Sequence, residues 1–584
     1  MTEKVLESAT ALGAVTRNIA TMLLESGARE GAAPAVGQRA ADGSFQYTDW
    51  RTFTARVGAV GLFLDEQGLP RQERVAVWCG NSAERLVMEL GVMASGRTSV
   101  PIFPCYLPDF VTQLITFGRV SALVVDTLAR LNSLPKAVLP KCIVVLNDEQ
   151  QPGTTKYADV IARAPQGKAR LETFAKEVEP ADLAVIMFTS GTTNFPKGVM
   201  LSHANILSQQ TALRQLWTPE HGMRFLSYLP WHHSFGGLFE RFFALSTAGS
   251  ITIDDSLGRN IELMLKNIRE VRPHVFFSVP KIYAELISRI LSSPEHEHEF
   301  FHPEVKFIFT AAAPLPINIS DVFQKKGVPV IEGWGLTETS PCCTLTSMSL
   351  ARSPGVVGHS IPGVSVKIAD DGEILVRGPN VMRGYFDRPD LTAAAFEDGW
   401  FKTGDVGDLT PGGIKIVSRK DRIFKLGNGE KIFPTPIEDS ISTTCRYVKH
   451  AYIFGSGQDA PLALVFPNYE LLQSTTVRPE DAHCERPRDL KHLKTCLTEC
   501  MDCLNKHNTT KINRITRALV IDRELTVDRQ ELTPSFKLIP RSIESQFAKY
   551  MRMLEAGETN ALPDDAQLID LKDTTTQPPE DKKK

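Results

Sequence analysis

The stretch FTSGTTNFPKG, residues 188–198, collects the side chains that hold an anion. Thr189, Ser190, Thr192 and Thr193 bring hydroxyl donors, Gly191 and Gly198 let the backbone approach closely, and Lys197 adds a positive charge. The common phosphate-loop pattern GxxxxGK[ST] does not fit: Pro196 stands where its second glycine belongs and Gly198 where its magnesium-binding hydroxyl belongs. On these residues alone a phosphate cradle and an ordinary surface turn both stand open. Three distant stretches add to the first reading. GWGLTETS (333–340) offers Thr337 and Glu338, and a carboxylate beside phosphates is a natural partner for magnesium, which takes carboxylate and phosphate oxygens together. GWFKTGD (399–405) ends in Asp405, a fixed acceptor suited to ribose hydroxyls, and LTPSFKLIPR (532–541) sets Lys537 in a turn-bounded apolar segment. Cys496, Cys500, Cys503 and His507 invite a metal reading, but on a straight helix the first and last lie about 16 Å apart, too far for one tetrahedral zinc. A buried helical stripe is the expectation there.

The elements that must position these residues follow from patterning. β-rich runs alternate with helical patterns: RVAVWC (74–79) before a helix that Asn81 could cap, then TSVPIF, ALVVD and CIVVL, then AVIMFTS (184–190), which enters the loop directly. Ser202 can cap the helix that begins HANILSQQ. HVFFSV, VKFIFTA and VPVIEGWG continue the alternation, which predicts α/β layers with mainly parallel sheets. From about residue 364 strands follow one another across turns, as in an antiparallel or barrel-like subdomain. Beyond residue 419, HAYIFG, LALVFPN and ALVIDR with helices between them make a small α/β domain. The expected division is an N-terminal domain over 1–420, a smaller mobile domain over 421–556 and a disordered polar tail over 557–584.

The 584 residues are 42% hydrophobic and 23% charged, as in an ordinary globular protein. A net charge of -3 gives no global field toward nucleic acid or an anionic membrane. No apolar run suggests a membrane span, and the N-terminus does not read as a signal peptide. Ten scattered cysteines suit a reducing, cytoplasmic setting.

Taken together and in order, these stretches resemble the adenylate-forming (AMP-binding) superfamily of acyl-CoA synthetases, nonribosomal adenylation domains and beetle luciferases. TSGTTNFPKGVMLSHANI, LPWHHSFGG, TAAAPLP, GWGLTETSP, GWFKTGD and SRKDRIFKLGNGEKIFPTPIE carry the likeness from about residue 45 to 541. LFER (238–241), VRPHVFFSVPKIY (271–283) and LTPSFKL look like the long-chain fatty acyl-CoA synthetase branch. The resemblance implies that ATP activates a carboxylic acid to acyl-AMP with release of pyrophosphate, and that coenzyme A then displaces AMP. It implies a phosphate-binding loop over 189–198 and magnesium at Thr192 and Glu338. It further implies Thr337 at the α-phosphate, Ala313, Pro314, Trp334 and Gly335 around adenine, Asp405 on the ribose, and Arg419 near ribose and phosphate. Lys537 would bridge the carboxylate and α-phosphate in the first step only. Trp231, His233, Ala311 and Ala312 would face the acyl group. Asp421 would be the hinge about which Lys425, Gly427, Gly429 and Lys431 enter for the coenzyme A step.

The departures matter. Ala311 and Ala312 stand where the family has glycines and add two methyls near the carboxylate, and His232 beside His233 is read as a packed histidine. A medium-chain or aromatic acid–CoA ligase, transfer to a carrier protein, and a non-catalytic nucleotide-binding scaffold are the rivals. The scaffold predicts loss of the catalytic set, yet Lys537, Glu338, Asp405 and Arg419 are all present. A fatty substrate is membrane-soluble, so peripheral membrane contact is compatible without an anchor; subunit number is left open.

Overall fold

Short runs of Val, Ile, Leu and Phe become sheet strands wherever glycine-containing turns or capped helices bound them. The computed structural model describes residues 5–189, 196–311, 313–349, 353, 355–473, 487–507, 511–526, 529–533, 538–558 and 562–571. It divides into a large unit, residues 1–403 with 408–415, and a small one, 404–407 with 416–584.

The large unit holds two mainly parallel sheets. One has eight strands in the order Gly384–Tyr385, Lys197–Ser202, Leu183–Thr189, Thr98–Ile102, Arg74–Trp78, Val120–Val125, Cys142–Val145 and Thr155–Lys156. The other has nine, in the order His359–Ser360, Thr344–Leu345, Val330–Trp334, Phe307–Thr310, Val275–Ser278, Arg224–Ser227, Ser250–Ile253, Pro34–Arg39 and Phe45–Asp49. Their central strands pair in parallel and are buried on both faces, which is why they read as unbroken apolar runs. Antiparallel pairs finish the edges. A third sheet links Val5–Glu7, Ser365–Ile368, Glu373–Arg377, Trp400–Thr410 and Phe396–Glu397, with Gly413–Arg419 beside Trp400–Thr410. Its strands follow one another across turns, as the pattern after residue 364 predicts.

Two local features position the ends of the 189–198 stretch. Leu183–Thr189 and Lys197–Ser202 are antiparallel partners, Lys197 opposite Thr189, so the loop closes a hairpin instead of opening a helix. The helix His203–Trp217 starts later, at the expected Ser202, through a reciprocal cap: Ser202 Oγ accepts from Asn205 N–H at 3.2 Å, and Asn205 Oδ1 accepts from Ser202 N–H at 2.8 Å. The Asn205 amide also donates to the carbonyls of Pro379 and Val381, at 2.7 and 2.9 Å, and so ties the helix start to the segment before Tyr385.

Asn81 corrects its expected role. Ser82 caps the helix Ala83–Ala94, accepting from Arg85 N–H at 3.0 Å. Asn81 instead donates to Leu229 O at 2.8 Å and accepts from Trp231 N–H at 3.1 Å. The amide donates and accepts through two separate atoms, Nδ2 and Oδ1, so it bridges two backbone groups of a distant turn.

In the small unit, Val448–Phe454, Leu462–Pro467, Arg517–Ile521 and Ala566–Asp570 form one sheet. Alternate residues face opposite sides. Ala451, Ile453, Ala463, Val465, Ala518 and Val520 pack with Leu493, Leu497 and Met501 of the helix Leu490–His507. Tyr452, Phe454, Leu464, Leu519 and Ile521 pack with Ile543, Phe547 and Leu554. The fourth strand lies inside the stretch read from composition as a tail. Ile569 is fully buried and Leu568 packs against the other core, so two apolar residues of opposite parity hold a segment otherwise rich in acids. The cysteine face is not the buried stripe expected of it: Leu493, Leu497 and Met501 form the buried line, Cys496 and Cys500 lie half-buried at its flank, and Cys503 is exposed, because the larger aliphatic side chains claim the core face. Among the described residues no three His, Cys, Asp or Glu side chains gather as a metal site.

Candidate active site

Lys197 leaves the phosphate hairpin beside Tyr385, its Nζ 5.1 Å from the ring centroid. The pairing of Lys197–Ser202 with Gly384–Tyr385 sets this contact, reinforced by Phe386 N–H donating to Gly198 O at 2.7 Å. Gly198 is needed there: a Cβ would come 3.0 Å from Ile186 Cγ2 and 3.1 Å from Phe188 Cε1. The Tyr385 hydroxyl donates to Glu338 Oε1 at 2.9 Å, and Met382 N–H donates to Glu338 O at 2.8 Å. One short strand therefore joins the lysine of one motif to the carboxylate of another. Ser190, Gly191, Thr192 and Thr193 lie outside the described residues; Thr189 ends its strand half-buried, its hydroxyl 3.5 Å from Lys197 O.

The segment after Val330–Trp334 turns sharply at Gly335, where a Cβ would meet Pro341 O at 2.0 Å. A single 3₁₀ turn, Thr337–Thr339, follows, closed by Leu336 N–H donating to Thr339 Oγ1 at 2.9 Å. Buried Asn380 donates to Thr339 O at 3.0 Å and to Cys342 O at 2.9 Å, which locks the turn. Trp334, Thr337 and Glu338 remain half-buried. Buried Glu332 accepts from Leu315 N–H at 3.2 Å and so draws the 311–315 segment to this strand; there Ala311 is half-buried, Ala313 and Pro314 are exposed, and Ala312 lies outside the described residues.

Thr337 Oγ1 lies 3.1 Å from Ser234 Oγ, in the LPWHHS turn. That turn is pinned by Asn81 and by a π-helical turn, Phe235–Glu240, a form of helix often found at functional sites. Gly236 and Gly237 permit it, since a Cβ on Gly237 would sit 2.1 Å from Trp231 O. His233 is exposed, and Phe235 N–H donates to its Nδ1 at 3.3 Å, leaving Nε2 as the proton-bearing nitrogen of the neutral ring. His232 packs as expected: its ring lies 4.4 Å from Phe103, and burial, with Arg85 and His233 adding, holds its pKa well below the usual histidine range. Trp231 is fully buried: it donates from Nε1 to Ser227 Oγ at 3.1 Å and lies under the Arg241 guanidinium at 5.7 Å. Its burial sets it inside the wall of this turn with no surface of its own, which corrects the expectation that it faces the acyl group.

Behind this wall, Arg241 pairs with Glu89 at 2.9 Å and Arg85 with Glu89 at 3.3 Å, with every side chain nearly or wholly buried. Burial pushes the Glu89 carboxyl up, but Arg241 and Arg85 overcome it and hold it below the usual range. Neighbouring Glu240 has no such cation. Burial raises its carboxyl well above the ordinary value, against a hydrogen bond from Ser227 Oγ at 2.7 Å.

In the small unit, Arg419 pairs with buried Asp405 at 2.8 Å, and its Nε stands 3.8 Å from Asp421. Arg422, one residue on, is committed to the small unit's interior. It pairs with Glu438 at 2.6 Å and lies 4.3 Å over the Tyr452 ring. Lys425 and Lys431 are opposite one another in the hairpin of Phe424–Lys425 and Lys431–Ile432, both exposed. Gly429 has φ +85, the left-handed region, and Gly427 N–H donates to Gln458 O at 2.8 Å. Lys537 lies outside the described residues.

A cation at Glu338 fits this arrangement. One carboxylate oxygen is held by Tyr385, and among the described residues no group of three His, Cys, Asp or Glu side chains gathers as a metal cage, so phosphate and water oxygens would complete the ligands, the habit of magnesium. Tyr385, Ser234, Asn380 and Asn81 are the site residues that motif reading missed. Tyr385 stands 47 positions from Glu338, and only strand pairing brings the two together.

The profile of the AMP-binding enzyme family matches residues 24–386, and that of the AMP-binding enzyme C-terminal domain matches 421–553. Long chain acyl-CoA synthetase 6, peroxisomal, of Arabidopsis thaliana is 28% identical over 87% of this chain and 82% of its own. Long-chain-fatty-acid–CoA ligase 1 of Homo sapiens is 27% identical over 86% of this chain and 82% of its own. Among solved structures, the anthranilate CoA ligase AuaEII in complex with anthranoyl-AMP superposes with a TM-score of 0.72 at 20% identity, covering 92% of this chain and 99% of that one. This last likeness is one of fold.

Proposed function

The chain belongs to the AMP-binding enzyme family and is an adenylate-forming acid–CoA ligase; from that premise we propose that its acid is a long-chain fatty acid. The observation that carries the catalytic reading is the convergence of Lys197, Tyr385, Glu338, Thr337 and Ser234 in the large unit. The names of the relatives and the branch-like segments 238–241 and 271–283 support the substrate.

In the first step a carboxylate oxygen attacks the α-phosphorus of ATP, the bond to the β-phosphate oxygen breaks, and pyrophosphate leaves. The 189–198 loop and Lys197 hold the β- and γ-phosphates, and Thr337 holds an α-phosphate oxygen. Lys537 neutralises charge between carboxylate and α-phosphate. Trp334 stacks on adenine between Gly335 and the Ala313–Pro314 segment, Asp405 takes the ribose hydroxyls, and Arg419 lies beside them. Fixed donors around a leaving anion are the main source of rate in such transfers. Glu338, with Thr192, would hold a magnesium ion, which would supply positive charge against the phosphate oxygens. In the second step the thiol of coenzyme A attacks the acyl carbonyl and AMP leaves with the electron pair of the broken anhydride bond. Movement about Asp421 withdraws Lys537 and brings in the Lys425–Lys431 hairpin, with Gly427 and Gly429 allowing close approach. His233 borders the acyl entrance with Ala311 and Ala312.

The test is pyrophosphate release, with and without coenzyme A, from hexanoate to stearate and from benzoate. Each buried methylene is worth about 0.8 kcal/mol, so kcat/KM rises about fourfold per carbon until the pocket ends. A flat or falling series, with benzoate preferred, refutes the fatty-acid reading and leaves the ligase. Thioester formation only with an acyl carrier protein would move the acceptor.

A further inference from the structure

A cavity of about 500 Å³ lies in the large unit, apart from every residue placed in the reaction. Its walls come from the N-terminal loop at Gly13 and Ala14, the end of the helix Ile19–Glu30, the far end of His203–Trp217, the 218–221 turn and the segment at Ser246. Arg29, Arg214 and His221 all line it. Arg29 Nη1 lies 3.4 Å from His221 Nδ1, and Arg214 Nη1 reaches Ser246 O at a long 3.4 Å. Among the described residues no carboxylate comes within 4.0 Å of either guanidinium. Glu25 is the acid whose field reaches Arg214; Glu30 approaches the 222 turn, and Glu220 is taken by Lys306 at 2.9 Å. Arg29 pushes on Arg214 across this cavity, an effect smaller than the pull of Glu25, and an anion held between the two guanidiniums would remove that repulsion.

A second observation concerns the same wall. Thr211 lines the cavity and is 5% exposed, and among the described residues its hydroxyl, itself shut off from solvent, has no hydrogen-bond partner. A helical threonine normally returns its hydroxyl to the carbonyl one turn earlier, as Thr116 does at 2.8 Å, so an orphaned one calls for a ligand acceptor. The roof is fixed: Gln215 accepts from Gly13 N–H at 3.0 Å and donates to Ala11 O at 3.1 Å.

We propose that this cavity is a second anion site, binding a phosphate group through the Arg29 and Arg214 guanidiniums and the Thr211 hydroxyl. Arginine forks match phosphate oxygens two at a time, and the volume admits the remainder of a small organic phosphate. The site does not rest on the proposed substrate. Thr211 and Arg214 stand about 14–18 Å along their helix from Ser202, and the strand Lys197–Ser202 lies between that helix start and the 189–198 loop, so the two sites are separate.

The experiment is a thermal-shift titration of the full chain with inorganic phosphate and, separately, adenosine 3′,5′-bisphosphate, with the phosphate hairpin first filled by α,β-methylene-ATP. A saturable further shift is expected, and the stronger probe tells whether free phosphate or an organic phosphate is the source. Charge-assisted hydrogen bonds of this kind make the Arg29→Gln/Arg214→Gln variant at least about 100-fold weaker for the probe, while the shift from α,β-methylene-ATP persists. No further shift in the wild type, or an undiminished one in the double variant, overturns the site. If the double variant loses the α,β-methylene-ATP shift through misfolding, Arg214→Lys decides: about tenfold weaker binding supports the fork, and unchanged binding overturns it.

Discussion

Replacing Tyr385 by phenylalanine removes one oxygen atom from the centre of the site. The ring stays, with its contact to Lys197 Nζ at 5.1 Å, and so does the strand pairing to Val199. What goes is the 2.9 Å hydrogen bond to Glu338. A hydrogen bond to a charged carboxylate is worth about 1.5–3 kcal/mol, which converts to about 10- to 150-fold in kcat/KM if it holds Glu338 where the reaction needs it. Glu338 is half-buried, so water replaces part of what is lost and the lower end applies, about tenfold. The loss should fall on ATP-dependent pyrophosphate release at saturating acid, and excess magnesium should recover part of it. Tyr385→Leu removes the ring as well. A cation–π contact at this distance adds about 0.5–1 kcal/mol, a further two- to fivefold. Thermal melts of both variants separate loss of positioning from loss of fold. If Tyr385→Phe keeps kcat/KM for ATP within twofold of wild type while Glu338→Gln loses it, the hydroxyl does not position the carboxylate and the reasoning fails.

Lys537→Ala should lose about 10²–10³ in adenylation and retain thioester formation from supplied acyl-AMP; equal loss in both half-reactions would count against two conformations sharing one site. Gly237→Ala forces a methyl against Trp231 O, and about 1–3 kcal/mol of stability should go in chemical denaturation together with acid activation; an unchanged midpoint would mean the π-helical turn can shift freely. Glu240 has a folded-state pKa raised by burial, so its stabilising effect is complete below the unfolded value near 4.5 and is lost as pH rises toward the folded one. Glu240→Gln should therefore gain stability over wild type from pH 5 to pH 8, and parallel pH profiles would refute the buried acid. His232 works in the opposite direction. Its pKa is depressed, so stability falls as pH drops below about 6.5, and His232→Phe should flatten that limb in denaturant titrations at pH 5 and 7.

Strand positions and the helix start at Ser202 were legible where one physical rule decides them. Buried parallel strands announce themselves as unbroken apolar runs, and Ser202 caps its helix because the rotamer that reaches Asn205 N–H is local. Contacts that depend on pairing between distant strands were not legible. Tyr385 sits in RGYFDRP, an ordinary turn sequence, and acquires its place from the edge pairing with Lys197–Ser202. Asn81 looked like a cap because its neighbour is one; its partners lie 148 and 150 residues away. The acidic stretch near the C-terminus hid the strand Ala566–Asp570 because composition averages over residues, while burial of Ile569 depends on a single position. The motifs named Lys197, Thr337 and Glu338, and the cavity at Arg29 and Arg214 left no spacing signature because its walls come from five separate segments.

The buried triad Arg85, Glu89 and Arg241 also constrains how such a chain can drift over generations. Two guanidiniums share one carboxylate, so losing one arginine leaves a matched pair, whereas losing Glu89 strands both cations in the interior, a loss of about 3–5 kcal/mol and a large share of a domain's whole stability. Replacing all three at once by apolar residues of similar volume is neutral or stabilising by the same physics. The order of exchange is therefore constrained: an arginine can go first, and the remaining pair goes together or after another stabilising change has raised the floor. Descendants of a common ancestor should carry Glu89 only in company with at least one of the two arginines.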